Sequence, residues 1–342
     1  MTGRPLAPGK LPHADLARLL AAYTDRDPRL VVPPGLGEDA AVIDLGDRYL
    51  VAKTDPITFA TDAIGWYAVH VNANDIAAMG AEPRFFLTTV LLPAGRADIE
   101  MAEGILRSIH EAAASLDILV CGGHTEVTHG LDRPIVVGQM LGEVSPERLV
   151  RSSGLRPGDA LLLTKGLGIE GTAVIARERR EELLGRGYPA DFLDRSARFL
   201  TSPGISVVRE ARLATGSGRV TAMHDPTEGG VATALFELAA ASGVGLEVEA
   251  EALPLAEETG RLCAEFSLDP LGLISSGALL IGCVAADAPG ILAALTAAGI
   301  PAARIGTARE EDFGLRLRRA DGWTDLPVFP ADELTRLFRE RS

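Results

Sequence analysis

Strand-like and helix-like segments alternate along this chain, and the alternation starts a second time near its middle. The first series ends close to Ser152-Ser153-Gly154, and a turn-forming run, Arg156-Pro157-Gly158-Asp159, precedes the second. Because hairpin-like pairs of strands interrupt the alternation, an α+β fold suits the chain better than a doubly wound parallel sheet. We therefore predict two domains, at residues 1–154 and 155–342, which agrees with the domain number expected for 342 residues.

The hydrophobic pattern predicts the elements of each half. In the first half, helices are predicted at residues 16–23, 66–79 and 99–116, and strands at 29–34, 40–44, 48–53, 85–92, 118–121 and 135–141. In the second half, helices are predicted at 172–184, 230–241 and 289–298, and strands at 160–164, 219–223, 246–249, 278–284 and 303–307. Gly80 is expected to end the second helix, Asp98 to cap the third, and a glycine-rich loop to follow residue 121.

Charge and composition exclude several classes of partner. Lys and Arg total 33 against 47 Asp and Glu, and a net charge of −14 disfavours nucleic acid and anionic lipid as partners. The apolar runs are far shorter than the ~20 residues that a membrane-spanning helix requires. Three cysteines and the lack of an apolar leader predict a cytoplasmic protein. We expect neither nucleic acid nor a membrane as a partner.

Three acidic residues of the first half stand at the ends of predicted strands or on a helix. Asp39 precedes a strand, Asp55 follows one, and Asp75 shares one face of the predicted helix 66–79 with Asn72. An aspartate on an otherwise apolar helix needs a partner or a cation, and Mg²⁺ prefers carboxylate, water and phosphate oxygens. Each residue alone would be explained as a turn or cap. The three together indicate a metal–phosphate site.

Glycines after residue 121 and after residue 164 would let the backbone approach a ligand closely. Gly122 and Gly123 belong to a segment that also fits a loose zinc pattern, Cys121, His124, Glu126 and His129, or a turn with a capping histidine. Gly166 and Gly168 follow Lys165 in an incomplete dinucleotide fingerprint, since no apolar strand ending in an acidic residue follows. This second segment predicts an anion-binding loop at a helix N-terminus.

The third glycine segment opens a helix in the second half. Asp225 stands before it, and Gly229 and Gly230 are expected to leave backbone N–H groups open to a ligand, with Thr227 as a cap. A capped helix with no ligand is the alternative explanation.

Five motifs in this order resemble the aminoimidazole ribonucleotide (AIR) synthetase-related superfamily. They are Gly-Glu-Asp-Ala-Ala at 37–41, Thr-Asp-Pro at 54–56, Val-Asn-Ala-Asn-Asp-Ile-Ala-Ala-Met-Gly-Ala-Glu-Pro at 71–83, Gly-Gly-His-Thr-Glu at 122–126 and Asp-Pro-Thr-Glu-Gly-Gly at 225–230. Ser-Gly-Val-Gly at 242–245 and Leu-Asp-Pro-Leu-Gly at 268–272 make the HypE branch, the hydrogenase expression/formation proteins, the most similar.

The resemblance implies an N-terminal α/β domain whose strands form a β-barrel with a second copy, and a ferredoxin-like C-terminal α+β domain. ATP would lie between the two domains, with its phosphates on Mg²⁺. The implied metal ligands are Asp39, Asp55 and Asp75. The predicted cofactor contacts are Lys53, Asn74, Gly122, Gly123, Lys165, Gly166, Gly168, Asp225, Gly229 and Gly230. Candidates for catalysis are His124 and Asp225.

Two features depart from the HypE pattern. HypE proteins end in a Pro-Arg-x-Cys tail whose thiol carries a carbamoyl group for ATP-dependent dehydration, whereas this sequence has no cysteine after Cys283. His124 stands where HypE carries Asp.

The leading expectation is an ATP- and Mg²⁺-dependent, HypE-like enzyme that activates an oxygen of a carbonyl, amide or phosphate by phosphoryl transfer. The alternatives are a small-molecule kinase of the thiamine-monophosphate type, and a non-catalytic ATP-binding maturation or scaffold protein. A homodimer is expected, with strands around Val51 and residues 86–90 pairing with the second copy, together with a maturation partner protein. We also expect the three metal-site aspartates to converge with no sufficient cation nearby, Lys53 being the only candidate.

Overall fold

The computed structural model describes residues 11, 13–25, 27–35, 38–58 and 62–338. Gly37, which opens the motif at 37–41, and the last four residues of the sequence lie outside these ranges. The helices are α1 His13–Tyr23, α2 Ile64–Ala78, α3 Ile99–Ser115, α4 Ile169–Glu178, α5 Arg180–Gly185, α6 Ala190–Ala197, α7 Val208–Ser217, α8 Gly230–Ser242, α9 Glu257–Phe266, α10 Ala288–Ala297 and α11 Thr335–Phe338.

The first half is built on one mixed sheet. Its strands are β1 Leu30–Val32, β2 Ala41–Asp44, β3 Tyr49–Ile57, β4 Glu82–Pro93, β5 Leu119–Thr128 and β6 Ile135–Val144. Their order is β1-β2-β3-β6-β4-β5, so β3 and β4 have neighbours on both sides and β5 is an edge. The β4–β5 pair is parallel, and the other pairs are antiparallel.

Helix α2 connects this sheet to the rest of the molecule. Most of its residues are buried, the polar ones included, because it packs against β3, β6 and α3 and also against α7 of the second half. Asp98 caps α3 as expected, since its carboxylate accepts a hydrogen bond from the Met101 N–H at 2.8 Å.

The second half carries the other sheet. Its strands are β7 Ala160–Thr164, β8 Val220–His224, β9 Gly245–Glu249, β10 Leu280–Cys283, β11 Ala302–Arg309, β12 Leu315–Arg319 and β13 Gly322–Asp325, in the order β13-β12-β9-β11-β7-β10-β8. The two-domain α+β fold class is confirmed. The boundary at residues 154 and 155 stays a prediction.

One apolar core runs through both halves. Ile76 of α2 and Met79, directly after that helix, belong to the same cluster of buried side chains as Val207, Met223 and Ile281 of the second half. The two sheets therefore share a continuous interior.

Several sequence predictions differ from the observed elements. The strand predicted at 118–121 continues to Thr128, so the expected glycine-rich loop is absent at that point. The helix predicted at 172–184 is two helices, α4 and α5, which meet at Arg179, and α6, α7 and α9 were not predicted. In the described part of the chain, none of the helices is both long and apolar enough to cross a membrane.

Candidate functional site

Four aspartates from both halves gather around Lys53. Asp39 precedes β2, Asp55 lies on β3 two residues after Lys53, Asp75 lies on α2, and Asp225 follows β8. The Lys53 Nζ is 3.2 Å from the Asp75 Oδ2 and 3.4 Å from the Asp55 Oδ2. Lys53 is thus the cation that the sequence indicated, and its single charge is shared between Asp55 and Asp75.

Burial makes this cluster costly to ionise. It raises the pKa of Asp75 well above its ordinary value, against the opposing effect of Lys53. Burial and the charge of Asp39 raise the pKa of Asp225 to about 7. Burial alone would lower the pKa of Lys53, but Asp75, Asp55, Asp39 and Asp225 together raise it. The site holds more negative charge than Lys53 can balance.

His224, at the end of β8, supplies a second cation. Its Nδ1 lies 2.7 Å from the Asp39 Oδ1, and its Nε2 lies 3.0 Å from the Glu237 carboxylate on α8. Burial alone would lower the pKa of His224, but Asp39 and Glu237 outweigh it and raise that pKa well above its ordinary value. Ser152 donates a hydrogen bond to the other oxygen of Asp39 at 3.2 Å.

The cluster fits a divalent cation. The Asp225 Oδ2 is buried without a hydrogen-bond partner, and the Asp75 Oδ2 has only its ion pair with Lys53, which is not aligned as a hydrogen bond. Buried carboxylate oxygens left in this state are destabilising unless a cation or a proton reaches them. Hard oxygen donors of this kind suit Mg²⁺.

Asn74 joins the two halves of the chain. Its side-chain amide donates to the Ile205 carbonyl at 2.7 Å, and its Oδ1 accepts from the Val207 N–H at 2.8 Å. Both groups of the amide are thus used at the interface. Its predicted contact with a cofactor stays a prediction.

The Lys165 ammonium is also engaged by protein groups. It lies 2.8 Å from a Glu210 carboxylate oxygen and donates to the Gly204 and Ser206 carbonyls at 3.0 and 2.6 Å. A bound anion at this position would have to replace one of these partners.

The backbone N–H groups of the glycine loops have partners within the chain. Gly168 donates to the Ser275 hydroxyl at 2.7 Å, Gly229 to the Asp332 carboxylate at 2.7 Å, and Gly230 to the Thr227 carbonyl at 3.0 Å. The expectation of open N–H groups at Gly229 and Gly230 is therefore wrong in this conformation. The residue that precedes α8 is Gly229, and no side chain caps this helix. The predicted cap by Thr227 is therefore not observed.

The segment containing His124 lies on the exposed edge strand β5. Gly122 and Gly123 are within this strand, and the His124 Nε2 is 3.1 Å from a Glu126 carboxylate oxygen. Among the described residues, Cys121, His124, Glu126 and His129 do not bring metal-ligating atoms together, so the zinc interpretation is wrong for this chain alone. The predicted cofactor contacts of Gly122 and Gly123 and the catalytic role of His124 stay predictions.

Sequence reasoning missed several buried polar residues near the site. His224 was seen only as the neighbour of Asp225, although a histidine directly before a conspicuous aspartate was the available signal. Glu170, at the start of α4, has a buried oxygen without a hydrogen-bond partner, and burial raises its pKa to about 7. Glu237 is thirteen residues after His224, and nothing local to either residue indicates that they meet.

Two family models and several named proteins match most of the chain. The family models "AIR synthase related protein, N-terminal domain" and "AIR synthase related protein, C-terminal domain" match residues 37–144 and 156–317. Carbamoyl dehydratase HypE of Cupriavidus necator is 31% identical, over 81% of this chain and 78% of that protein. The protein of that name from Rhodobacter capsulatus is 30% identical, over 85% and 86%.

A solved structure agrees with the fold at similar coverage. The structure of hydrogenase maturation protein HypE in complex with ATP gives a TM-score of 0.71 at 27% identity, over 88% of this chain and 92% of that chain. The sequence and structural matches therefore span both halves of the chain.

Proposed function

The chain belongs to the AIR synthase related protein family, as its motifs indicated, and we propose that it is an ATP- and Mg²⁺-dependent enzyme of the HypE type. It would activate an oxygen atom of a carbonyl, amide or phosphate by phosphoryl transfer. The relatives named carbamoyl dehydratase and the HypE structure with ATP support this type of reaction.

The observation that carries the proposal is the set of buried carboxylates contributed by both halves. The Asp225 Oδ2 comes from the second half and the Asp75 Oδ2 from the first, and neither accepts a hydrogen bond. Phosphoryl transfer requires positioned groups and charge neutralisation more than covalent help from the protein. The aspartate cluster meets the first requirement, because elements of both halves position its carboxylates. Its excess negative charge would attract the Mg²⁺ that meets the second.

Each residue of the cluster has a separate task in this proposal. Asp39, Asp55 and Asp75 would hold Mg²⁺, which when bound would neutralise charge on the phosphates of the nucleotide. Lys53, released from carboxylates that the ion occupies, would donate to a phosphate oxygen. Asn72 accepts from the Asp55 N–H at 2.9 Å, and this bond keeps Asp55 at the end of β3 aligned with α2.

The test uses the purified full-length chain. We expect ATP together with Mg²⁺ to raise the melting temperature, and ATP with a chelator to change it little, because the nucleotide's own charge would face the same acids. Release of phosphate or transfer to an acceptor would establish an enzyme. Binding without turnover would favour the non-catalytic alternative, and no stabilisation by Mg·ATP would contradict the proposal.

A carbamoyl carrier is not expected among the three cysteines. Burial raises the pKa of the Cys263 thiol to about 12 and that of Cys283 to about 11, which suppresses the thiolate. Cys121 is exposed on β5, a hydrogen-bonded strand, where its thiol donates to the Phe86 carbonyl at 3.5 Å. Mass spectrometry after incubation with a carbamoyl-transferring partner and carbamoyl phosphate should find no modified cysteine. A carbamoylated Cys121 or Cys263 would overturn this prediction and restore a hydrogenase-maturation role.

The proposal includes a homodimer in the cytoplasm and a maturation partner protein. Val51, Phe86 and Val90 are fully buried within the chain and lie on strands with neighbours on both sides, so a second copy could reach only the opposite face of these strands, and their role in a dimer stays a prediction. The free edge is β5, where Leu119 and Val127 expose 59% and 61% of their surface. We place the contact between copies along β5.

A further inference from the structure

We propose that a pocket between the two halves, lined by Arg84, Arg148 and Arg212, binds a small dianion, either a phosphate or a short dicarboxylate. The pocket lies where α7 of the second half meets the end of α2, the start of β4 and the end of β6. The described residues that line it include neither Lys53 nor any of the four aspartates around it. The inference is therefore independent of the proposed function.

The buried wall of the pocket is apolar and comes from both halves. Ala77 of α2 and Val144 of β6 belong to the first half, and Val208 and Ala211 of α7 to the second, and each is less than a tenth exposed. The cavity measures about 230 Å³, below the roughly 300–1,000 Å³ of pockets for drug-sized ligands. It therefore suits a small ligand that carries at most a short carbon chain.

Gly80 brings Arg148 to the pocket. Its φ of +72° favours glycine, and a Cβ at this position would lie 2.6 Å from the Arg148 carbonyl oxygen. The Val150 N–H donates to the Met79 carbonyl at 3.1 Å, which holds the segment after β6 against the end of α2. Main-chain contacts thus fix where Arg148 lies, and its side chain is free to bind a ligand.

The arginines that line the pocket outnumber its carboxylates. Glu82 is shared by two of them, since its Oε2 lies 2.6 Å from the Arg84 Nη2 and its Oε1 lies 3.7 Å from the Arg212 Nε. Glu143, the other acidic residue of the lining, lies 3.5 Å from the Nη1 of Arg48, which is outside the pocket. One carboxylate therefore serves two guanidinium groups, and the second is already engaged.

Arg148 has no carboxylate partner. In the part of the chain that the structure describes, it makes neither an ion pair nor a side-chain hydrogen bond, and the charge that acts on it is that of the adjacent, exposed Glu147. The lining is thus positive in a chain whose net charge is −14. Because that net charge repels anions in general, an anion bound here would be held by the pocket itself.

The guanidinium groups determine the class of ligand. Each presents a planar fork of N–H donors that matches the oxygens of a phosphate or a carboxylate. The side chains of Arg84 and Arg212 are 50% and 62% exposed, so they can turn toward a ligand without breaking a buried contact. Arg148 belongs to the first half and Arg212 to the second. A dianion can pair with both and would bridge the halves beside the contact between α2 and α7.

The experiment uses the full-length chain with a chelator present, and inorganic phosphate and succinate as the probes at constant ionic strength. Chelation keeps phosphate from binding through a metal ion at the aspartates. We expect calorimetry to give one bound dianion per chain, and the melting temperature to rise because the ligand binds the folded state. Acetate, which carries a single carboxylate, should bind at least about tenfold more weakly than succinate.

The two probes distinguish the sources of the dianion. Tighter binding of phosphate would support a phosphate ligand, and tighter binding of succinate would support a dicarboxylate. If neither probe binds saturably, or if chloride at matched ionic strength gives the same rise in melting temperature, the inference is overturned.

Variants locate the bound anion. Arg148→Gln removes a side chain that has no partner, so the fold should persist, and the affinity should fall at least about tenfold. Arg212→Gln should weaken binding similarly. Arg209→Gln, at an exposed position on the same helix but outside the pocket, is the matched control and should bind like the original chain. Unchanged affinity in Arg148→Gln would contradict the inference.

The outcomes separate this inference from the proposed function. Stabilisation by Mg·ATP without binding of phosphate or succinate would remove only the arginine pocket. Binding of either probe in chelator, without any effect of Mg·ATP, would remove only the proposed enzyme activity.

Discussion

Lys53 is a cation held between carboxylates from two different elements. Its ammonium pairs with Asp55 on its own strand and with Asp75 on α2, although only 21% of its side chain is exposed. For Lys53 the attraction of the carboxylates outweighs burial, whereas for Asp75 the loss of water outweighs the attraction of Lys53. Burial raises the pKa of Asp75 well above its ordinary value, so an ionised Asp75 carboxylate destabilises the folded protein.

Asp75→Asn tests this imbalance. Asn is nearly isosteric, so α2 should persist, and at neutral pH the free energy of unfolding of the ligand-free protein should rise slightly. The stabilisation by Mg·ATP should fall by at least half, because a carboxylate ligand is lost. Thermal unfolding with and without Mg·ATP measures both effects. An unchanged Mg·ATP shift would show that Asp75 does not contact the ion.

Glu170 gives a pH dependence with a defined sign. Its pKa rises from an ordinary value of 4.5 to about 7, chiefly through burial. Between those two values the unfolded chain ionises this group while the folded chain keeps its proton, so its contribution to stability is lost as the pH rises through that window.

Glu170→Gln should remove that loss. At pH 8 the variant should be more stable than the original chain by up to about 3 kcal/mol, and near pH 4 the two should agree. Glu178→Gln, on the exposed side of the same helix, should follow the original chain at every pH. Urea unfolding across this range is the measurement, and parallel pH curves for Glu170→Gln and the original chain would contradict the argument.

Strand β5 is one of the elements that the rest of the chain covers least. Its residues are exposed along nearly its whole length, and it has a hydrogen-bonded neighbour on only one side, β4. Gly123 lets the two strands approach closely, since a Cβ at that position would collide with the Thr88 carbonyl oxygen. An exposed apolar edge of this length is a template for pairing with another strand.

Placing lysines on β5 should separate the copies. Leu119→Lys combined with Val127→Lys should convert a dimer into a monomer at micromolar concentration, with an unchanged circular dichroism spectrum. Leu106→Lys, at an exposed position on α3, is the control and should remain dimeric. Light scattering reports the mass. A monomeric original chain would remove the proposed dimer.

At the scale of the whole molecule, buried polar contacts hold the halves together in addition to the shared apolar core. Asn74 on α2 is fully buried and satisfies two backbone groups of the segment before α7. Leaving such groups unpaired costs about 1–3 kcal/mol each. The relative position of the halves is therefore specified by directional bonds as well as by packing.

Asn74→Ala should destabilise the protein by about 2–5 kcal/mol in urea. Hydrogen exchange should accelerate at Val207, whose N–H loses its acceptor. Asn72→Ala is the matched control, because that buried amide bonds only within the first half, to Asp55 and Ala68. It should accelerate exchange at Asp55 and leave Val207 protected. Equal patterns in the two variants would contradict a docking role for Asn74.

The sequence allows local structure to be predicted, but not the contacts between distant elements. The alternation of strands and helices follows from hydrophobic period, and the aspartates follow from motifs, so both could be predicted from the sequence. The pairing of His224 with Glu237 depends on where α8 crosses β8, and the second partner of Lys53 depends on how α2 lies on β3. Gly122 and Gly123 indicated a loop because glycine usually interrupts strands, whereas here the close approach of β4 to β5 requires the glycine at 123.

The apolar core that passes from one sheet to the other packs the interface between the two halves. Since Ile76 and Val207 share one interior, the halves cannot swing apart without exposing apolar surface. A ligand that binds at the aspartate cluster should therefore leave the two halves in place, and the radius of gyration in X-ray scattering should not change. The chain would recognise its ligands by fit and charge, with entry limited by diffusion and small side-chain adjustments.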